Sequence, residues 1–169
     1  KIAYWKSELD NGICNAWNKA INHVKGDWVY FLGVDDKLWN DKVFDNVVPY
    51  LIKSESKNIR MVYGGVIRVT KDNISSNVDG SDWKTTRCSI IDDGVCAFAH
   101  QGMFHHKSIF DIYGKFDESF KIVGDYELLV RVFKGNEQAY FINDLVIASM
   151  QIGGITTRRI ELVNEVLKA

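Results

Sequence analysis

Little in this chain marks it for the protein classes that are easiest to recognise. One proline and 13 glycines in 169 residues exclude collagen-like and proline-rich segments. Cys14, Cys88 and Cys96 are odd in number and form no CxxC pair. That argues against a disulfide framework and a cysteine zinc site, and it points to a reducing compartment. No apolar run approaches the roughly 20 residues of a membrane span, and no signal-peptide pattern is present. Neither charge sign dominates: 21 basic residues stand against 22 acidic ones, for a formal net charge of −1. A basic surplus for a nucleic-acid backbone or an anionic membrane is therefore missing. Also absent are a GxSxG elbow, a Walker A loop and a GxGxxG fingerprint.

What is present is globular. Hydrophobic residues make up 46% and charged residues 25%, which excludes disorder as the main state. A domain of this length buries roughly 70% of its unfolded surface and needs no staple. Aromatic residues reach 12% with five Trp, which suggests a large core, a ring-stacking groove, or both.

Strand-like and helix-like patterns alternate. Residues 2–5 read as a short strand or its tail, and Asp10-Asn11-Gly12 as a turn and N-cap. Ile13, Ala16, Trp17, Ala20, Ile21 and Val24 form one helical face that Gly26 stops. Trp28 to Leu32 is an apolar run expected to be a strand buried on both faces. A helix beginning near Asn40 or Asp41 is expected to carry Val43, Phe44, Val47, Val48 and Leu51 inward, and Pro49 should end or kink it. Arg60 to Thr70 reads as a strand interrupted at Gly64-Gly65, and the polar stretch 71–86 as a long loop or flap anchored by Trp83. Residues 102–106 are strand-like, Ser108 opens a short helix, and Gly114 to Phe120 is a turn region. Helix over Asp125–Lys134, strand over Ala139–Met150, a turn at Gly153-Gly154 and helix over Thr156–Leu167 complete the chain. The alternation predicts an α/β sheet that is mostly parallel at its start.

Chemistry concentrates in a few places. Asp35 and Asp36 follow the first long strand, where open α/β sheets bind their ligands. Paired carboxylates there suit Mg²⁺ or Mn²⁺ holding a diphosphate, and equally suit a solvated turn that caps the next helix. Gly124-Asp125-Tyr126-Glu127 opens a helix, so Asp125 is either a cap or a general base. Glu127 and Arg131 are spaced to pair along that helix. His100, His105 and His106 match no metal-ligand spacing; His105 and His106 would point to opposite faces of a strand, and His100-Gln101 reads as a polar pair lining a pocket. The cysteines read as buried structural thiols.

Taken in order, these blocks resemble family 2 glycosyltransferases. Ser7-Glu8-Leu9-Asp10-Asn11-Gly12-Ile13-Cys14-Asn15-Ala16-Trp17-Asn18-Lys19-Ala20-Ile21 resembles that family's SExDxGIYDAxNKGI segment. Gly26-Asp27 with Phe31-Leu32-Gly33-Val34-Asp35-Asp36 resembles its GD…FLxxDD, and His100-Gln101 with Phe104 its HQxxF. Gly114-Lys115-Phe116-Asp117 and Gly124-Asp125-Tyr126-Glu127-Leu128 with Arg131 resemble GxFDxxFKIxxDYELxxR, and Gly153-Gly154-Ile155-Thr156 the closing GGxS. Cys14 and Asn15 stand where the family usually has Tyr and Asp, a departure expected to alter donor contacts without touching the base.

The resemblance implies a GT-A-like, Rossmann-related mixed sheet flanked by helices, in one domain over residues 1–169. Residues 1–70 would be the rest of a donor-binding half, and 71–169 an acceptor and catalytic half. The family's N-terminal nucleotide-binding βαβ unit would precede Lys1, so the sequence is expected to be N-terminally truncated. The implied reaction is an inverting, metal-dependent transfer of a sugar from a nucleotide-diphosphate sugar to an acceptor hydroxyl. The acceptor would be a saccharide or lipid-linked saccharide in polysaccharide biosynthesis. Asp125 would be the base. Asp36 and Asp35 would hold Mn²⁺ or Mg²⁺. Asp10, Asn18, Lys19 and Asp35 would lie on the donor, and His100, Gln101 and Tyr126 in the acceptor or sugar pocket. Localisation would be cytoplasmic, or peripheral at the inner face of the membrane. No nucleic-acid partner and no membrane span are expected, and a bare Trp28–Leu32 edge would favour self-association. Two alternatives stand beside this reading: an inactive or binding-only fragment of the same fold, and a metal-dependent hydrolase on an unrelated scaffold.

Overall fold

The computed structural model describes residues 2–70, 74–92, 99–152 and 159–169, with backbone only for 74–77 and 159–162. In chain order the elements are α1 (Ile13–Ile21), β1 (Trp28–Tyr30), β2 (Lys37–Leu38), α2 (Val43–Glu55), β3 (Met61–Val69), β4 (Ile74–Asp79) and α3 (Trp83–Ile91). A 3-10 turn (His100–Gly102) then leads into β5 (Met103–His106), α4 (Ser108–Tyr113), α5 (Gly124–Lys134), β6 (Ala139–Gln151) and α6 (Arg159–Lys168).

The strands form one sheet in the order β1-β5-β3-β6-β2, with β4 paired to β3. Side chains alternate across it, as a pleated strand requires. Met61 and Tyr63 of β3 face a core shared with α4 and α5, through Ile109, Leu128, Leu129 and Phe133. Val62 and Val66 face the opposite core, with Val43, Val47 and Leu51 of α2. The result is a sheet between two helical layers.

Several expectations fail for identifiable reasons. The sheet is not mostly parallel: β3 and β6 are the parallel pair among the described strands, because β5 returns antiparallel between β1 and β3. Trp28 and Tyr30 are half-buried rather than enclosed, since β1 ends the sheet. Residues 2–5 make no strand. Helix α2 runs through Pro49, and Phe44 and Val48, expected to face inward, are exposed because it is the Val43, Val47 and Leu51 face that meets the sheet. Pro49 and Asp45 both lie at the surface, where a carbonyl that Pro49 leaves without a donor can be hydrated, while Val47 and Leu51 stay buried. Strand β3 passes unbroken through Gly64 and Gly65; the irregularity is in β6, where Ile142 pairs with Gly64 and Val146 with Gly65. A side chain on Gly64 would come 2.5 Å from the Leu145 carbonyl oxygen of that bulge.

Over its described residues, 74–86, the polar stretch is not one long loop. Residues 74–79 are β4, and Asp82 starts α3 by accepting the N–H groups of Lys84 (3.0 Å) and Thr85 (3.2 Å). Trp83 is an anchor as expected, packed edge-on against Phe133 at 4.5 Å between centroids. Cys14 is buried, but Cys88 is exposed, contrary to the reading of the thiols as core. Cys96, the Gly153-Gly154 turn and the Thr156 helix start lie outside the described residues. No helix among the described residues is long and apolar enough to cross a membrane.

Candidate active site

Chain direction gathers the candidate residues. Strand β1 is antiparallel to β5, and β5 to β3, so β1, β3 and β6 all run the same way. Asp35 and Asp36 follow β1, and the His100–Gly102 turn precedes the returning β5. Helix α5 leads into the start of β6, so its first turn, with Asp125, lies toward the carboxyl ends of the strands.

Asp36 is fixed by two backbone contacts. Its Oδ1 accepts the Gln151 N–H at 3.1 Å, from the end of β6, and its own N–H donates to the Gly33 carbonyl at 3.2 Å. The carboxylate lies over Gly33, where a Cβ would sit 2.6 Å from Oδ2. Asp35 is exposed. Burial pushes the Tyr30 phenol up, and the charge of Asp36 pushes it further. Tyr30 donates its hydroxyl to the Gln101 carbonyl at 2.7 Å, which links the Asp36 end of the site to the His100 turn.

His100 is buried among Trp17, Phe31 and Phe116 and lies 3.1 Å from His105 between their Nε2 atoms. His105 Nδ1 is buried without a partner among the described residues. An orphaned lone pair costs less than an orphaned N–H, so His105 carries its proton on Nε2 and donates it to His100. Burial lowers the pKa of both rings; the charge of Asp125 works against this at His100. Both are neutral in the fold, while the unfolded state regains a value near 6.5. The sign follows: this stability is complete above pH 6.5 and is lost as pH falls below it. The slope approaches about 1.4 kcal/mol per pH unit for His105, whose pKa burial holds well below its ordinary value. Urea midpoints should fall between pH 7.5 and 5.5, and midpoints flat across that range would contradict the neutral pair.

Asp125 is half-buried in the first turn of α5, with Oδ1 accepting the Tyr126 N–H at 2.9 Å. Its neighbour Glu127 is committed elsewhere, gripped by Arg131 through two bonds of 2.8 and 2.7 Å. Arg131 also donates to the carbonyls of Tyr113 and Lys115, so the pair clamps the end of α4. Tyr126 is buried, with its hydroxyl on the Ile90 carbonyl at 3.3 Å.

The α1 residues divide. The Asn18 amide brackets Phe116, donating to its carbonyl (2.9 Å) and accepting its N–H (3.0 Å), and it also donates to Glu118 (3.0 Å). Asn15 donates to the same carboxylate at 2.8 Å. Asp10 accepts the Gly12 N–H at 3.0 Å and caps no helix; Gly12 holds that position without a side-chain bond. Lys19 bonds the Leu9 carbonyl and pairs with Glu8. Asp10 and Lys19 line a cleft of about 800 Å³ with Tyr4, Trp5 and Glu8, whose walls do not include Asp36, His100 or Asp125.

Cys14 packs directly against the first turn of α5: a Cβ on Gly124 would meet its Sγ at 2.2 Å. Burial raises its thiol to about 11, and the charge of Asp125 contributes. Gly124→Ala should therefore destabilise the fold by about 1–3 kcal/mol, and Cys14→Ala in the same chain should recover most of that loss. Equal denaturation midpoints for the single and double variants would rule out this contact.

Sequence reasoning missed Glu118 and Glu165. Their partners stand roughly 40 to 100 residues away, and no local pattern announces such pairs.

No family model matches the chain. It is 24% identical over 151 residues to a "PGL/p-HBAD biosynthesis glycosyltransferase" of Mycobacterium bovis (strain BCG / Pasteur 1173P2), covering 88% of the chain and 55% of that protein. An "uncharacterized glycosyltransferase" of Mycobacterium tuberculosis (strain ATCC 25618 / H37Rv) is 28% identical over 130 residues, covering 77% of the chain and 47% of that protein. The chain thus spans about half the length of the curated relatives it matches. Among solved structures, S. aureus TarS 1–349 in complex with UDP superposes with a TM-score of 0.62 at 12% identity, over 85% of this chain and 41% of that one. Its complex with UDP-GlcNAc gives 0.62 at 10% identity, over 85% and 40%. The chain is thus similar in sequence to glycosyltransferases over about half of their length, and it shares its mixed α/β fold with TarS 1–349.

Proposed function

We propose that this domain carries an inverting, metal-dependent transfer of a sugar from a nucleotide-diphosphate sugar to an acceptor hydroxyl. The supporting observation is the gathering of Asp36, the His100–Gly102 turn and Asp125 toward the carboxyl ends of β1, β3 and β6. Complexes of TarS with UDP and UDP-GlcNAc make a uridine diphosphate sugar the first donor to try.

Asp36 and Asp35 would hold Mg²⁺ or Mn²⁺. The described residues contain no cluster of three His, Cys, Asp or Glu side chains able to hold a metal. One or two carboxylates fit a cation that completes its shell with diphosphate oxygens and water. When bound, such a cation supplies charge stabilisation for a departing diphosphate. Asp125 takes the proton from the acceptor hydroxyl, whose oxygen attacks the anomeric carbon as the bond to the diphosphate oxygen breaks. Glu127 is unsuited to that task because Arg131 holds both of its oxygens. His100 is unsuited because it is buried against His105.

The test is release of nucleoside diphosphate from UDP-glucose, UDP-N-acetylglucosamine, GDP-mannose and dTDP-rhamnose, with Mn²⁺ and saccharide or glycolipid acceptors. Turnover of one donor supports the reading. Binding of UDP or GDP with no turnover of any would favour a binding-only domain.

A further inference from the structure

Within α5 the first turn has one side-chain bond to its amides, Asp125 Oδ1 accepting the Tyr126 N–H. Val123, at the cap position, makes no side-chain cap bond. A further hold comes from α6. Glu165 Oε1 accepts the Lys121 N–H at 2.8 Å, and Oε2 accepts the N–H groups of Ile122 (2.9 Å) and Val123 (3.1 Å). These are three successive amides, and the next residues are Gly124 and Asp125. A single carboxylate therefore fixes the backbone that delivers Asp125.

The grip is reinforced on both sides. Lys168, one turn further along α6, donates to Ser119 Oγ at 2.7 Å and lies 4.3 Å above the Phe120 ring. Lys121 reaches the other way, donating to the carbonyls of Asn11 and Glu118 at 2.8 and 2.9 Å. The segment before α5 is thus bound to α6 through its amides and to the chain before α1 through a lysine. Burial works to raise the Glu165 carboxyl, yet the three backbone bonds and Lys168 hold it below the usual carboxylate range, so it is charged at neutral pH.

We propose that Glu165 is a positioning residue for Asp125: it orders residues 121–123 so that the first turn of α5 presents the carboxylate in its reactive place. This rests on the reading of Asp125 as the base. Glu165 touches no reacting atom, and its effect passes through backbone geometry, where a displacement of about 1 Å can cost on the order of 10²-fold in rate.

The experiment measures kcat and donor KM in the intact protein, with the donor that turns over fastest in the panel above. Glu165→Ala should lower kcat by about 10- to 100-fold and leave KM within about threefold. Glu165→Gln keeps one carbonyl oxygen, able to accept the two amides that Oε2 now serves, and should stay within about threefold of the parent kcat. In an Asp125→Asn background, Glu165→Ala should have little further effect, because it acts through the group already removed. Amide exchange at residues 122 and 123 should rise in the alanine variant and not in the glutamine variant, whereas that at Lys121, whose N–H Oε1 now accepts, should rise in both.

A Glu165→Ala enzyme with unchanged kcat would overturn the proposal. So would equal loss in the alanine and glutamine variants, or a further full drop in the Asp125→Asn background. Full turnover by Asp125→Asn alone would instead remove the base assignment itself, which separates failure of that reading from failure of this one.

Discussion

Asp125→Asn is expected to lower sugar transfer by about 10²–10⁴-fold while nucleoside-diphosphate affinity stays within about twofold. The substitution is nearly isosteric. Asparagine retains an oxygen for the Tyr126 N–H that Asp125 now accepts, so the first turn of α5 keeps its geometry. What is lost is the capacity to take a proton. The neighbours cannot substitute: the Glu127 oxygens are held by Arg131, and His100 is buried against His105. Steady-state rates beside UDP calorimetry decide the matter, and a variant with parental turnover would show that the base lies elsewhere.

The second large effect concerns charge at Asp36. Without a cation, an aspartate pair repels a diphosphate. At about 4 Å the repulsion per charge pair is about 1 kcal/mol in water and about 4 kcal/mol at an effective dielectric of 20. UDP affinity should therefore drop by on the order of 10- to 10³-fold when EDTA replaces Mn²⁺. Asp36→Asn is the cleaner variant than alanine, because it can still accept the Gln151 N–H that ties this turn to β6. Its UDP affinity should be low with Mn²⁺ and insensitive to EDTA. Parental affinity with a parental response to EDTA would remove Asp36 from metal binding.

Local periodicity carried much of the fold. The apolar spacing of α1, α2 and α5 was readable because one face of each helix packs on a core while the other meets solvent. Strand direction was not readable. Met103–His106 has the same composition whether it enters parallel or antiparallel, and only its place between β1 and β3 decides. The stretch 71–86 misled because its polar residues do structural work: Thr86 is fully buried and bonds the Tyr63 hydroxyl at 3.1 Å, and Asp82 caps α3. At the site, motif order identified Asp36 and Asp125 as candidates, but not what holds them. Gln151, Glu118 and Glu165 act across long separations in sequence, so no window of neighbouring residues contains both partners.

Those separations set the order in which the molecule is made. Asn15 meets Glu118 across 103 residues, Lys121 meets Asn11 across 110, and Asp36 meets Gln151 across 115. Closing loops of that length is entropically expensive and slow, so such contacts form after the local ones have condensed. On a ribosome adding about 5–20 residues per second, Asp36 waits about 6–23 s for Gln151 to be synthesised. During that interval α1 exists without the turn that its asparagines clasp, and β1 without the β5 strand beside it for most of the time. The proposed chemistry thus depends on contacts that close only after the local elements have formed.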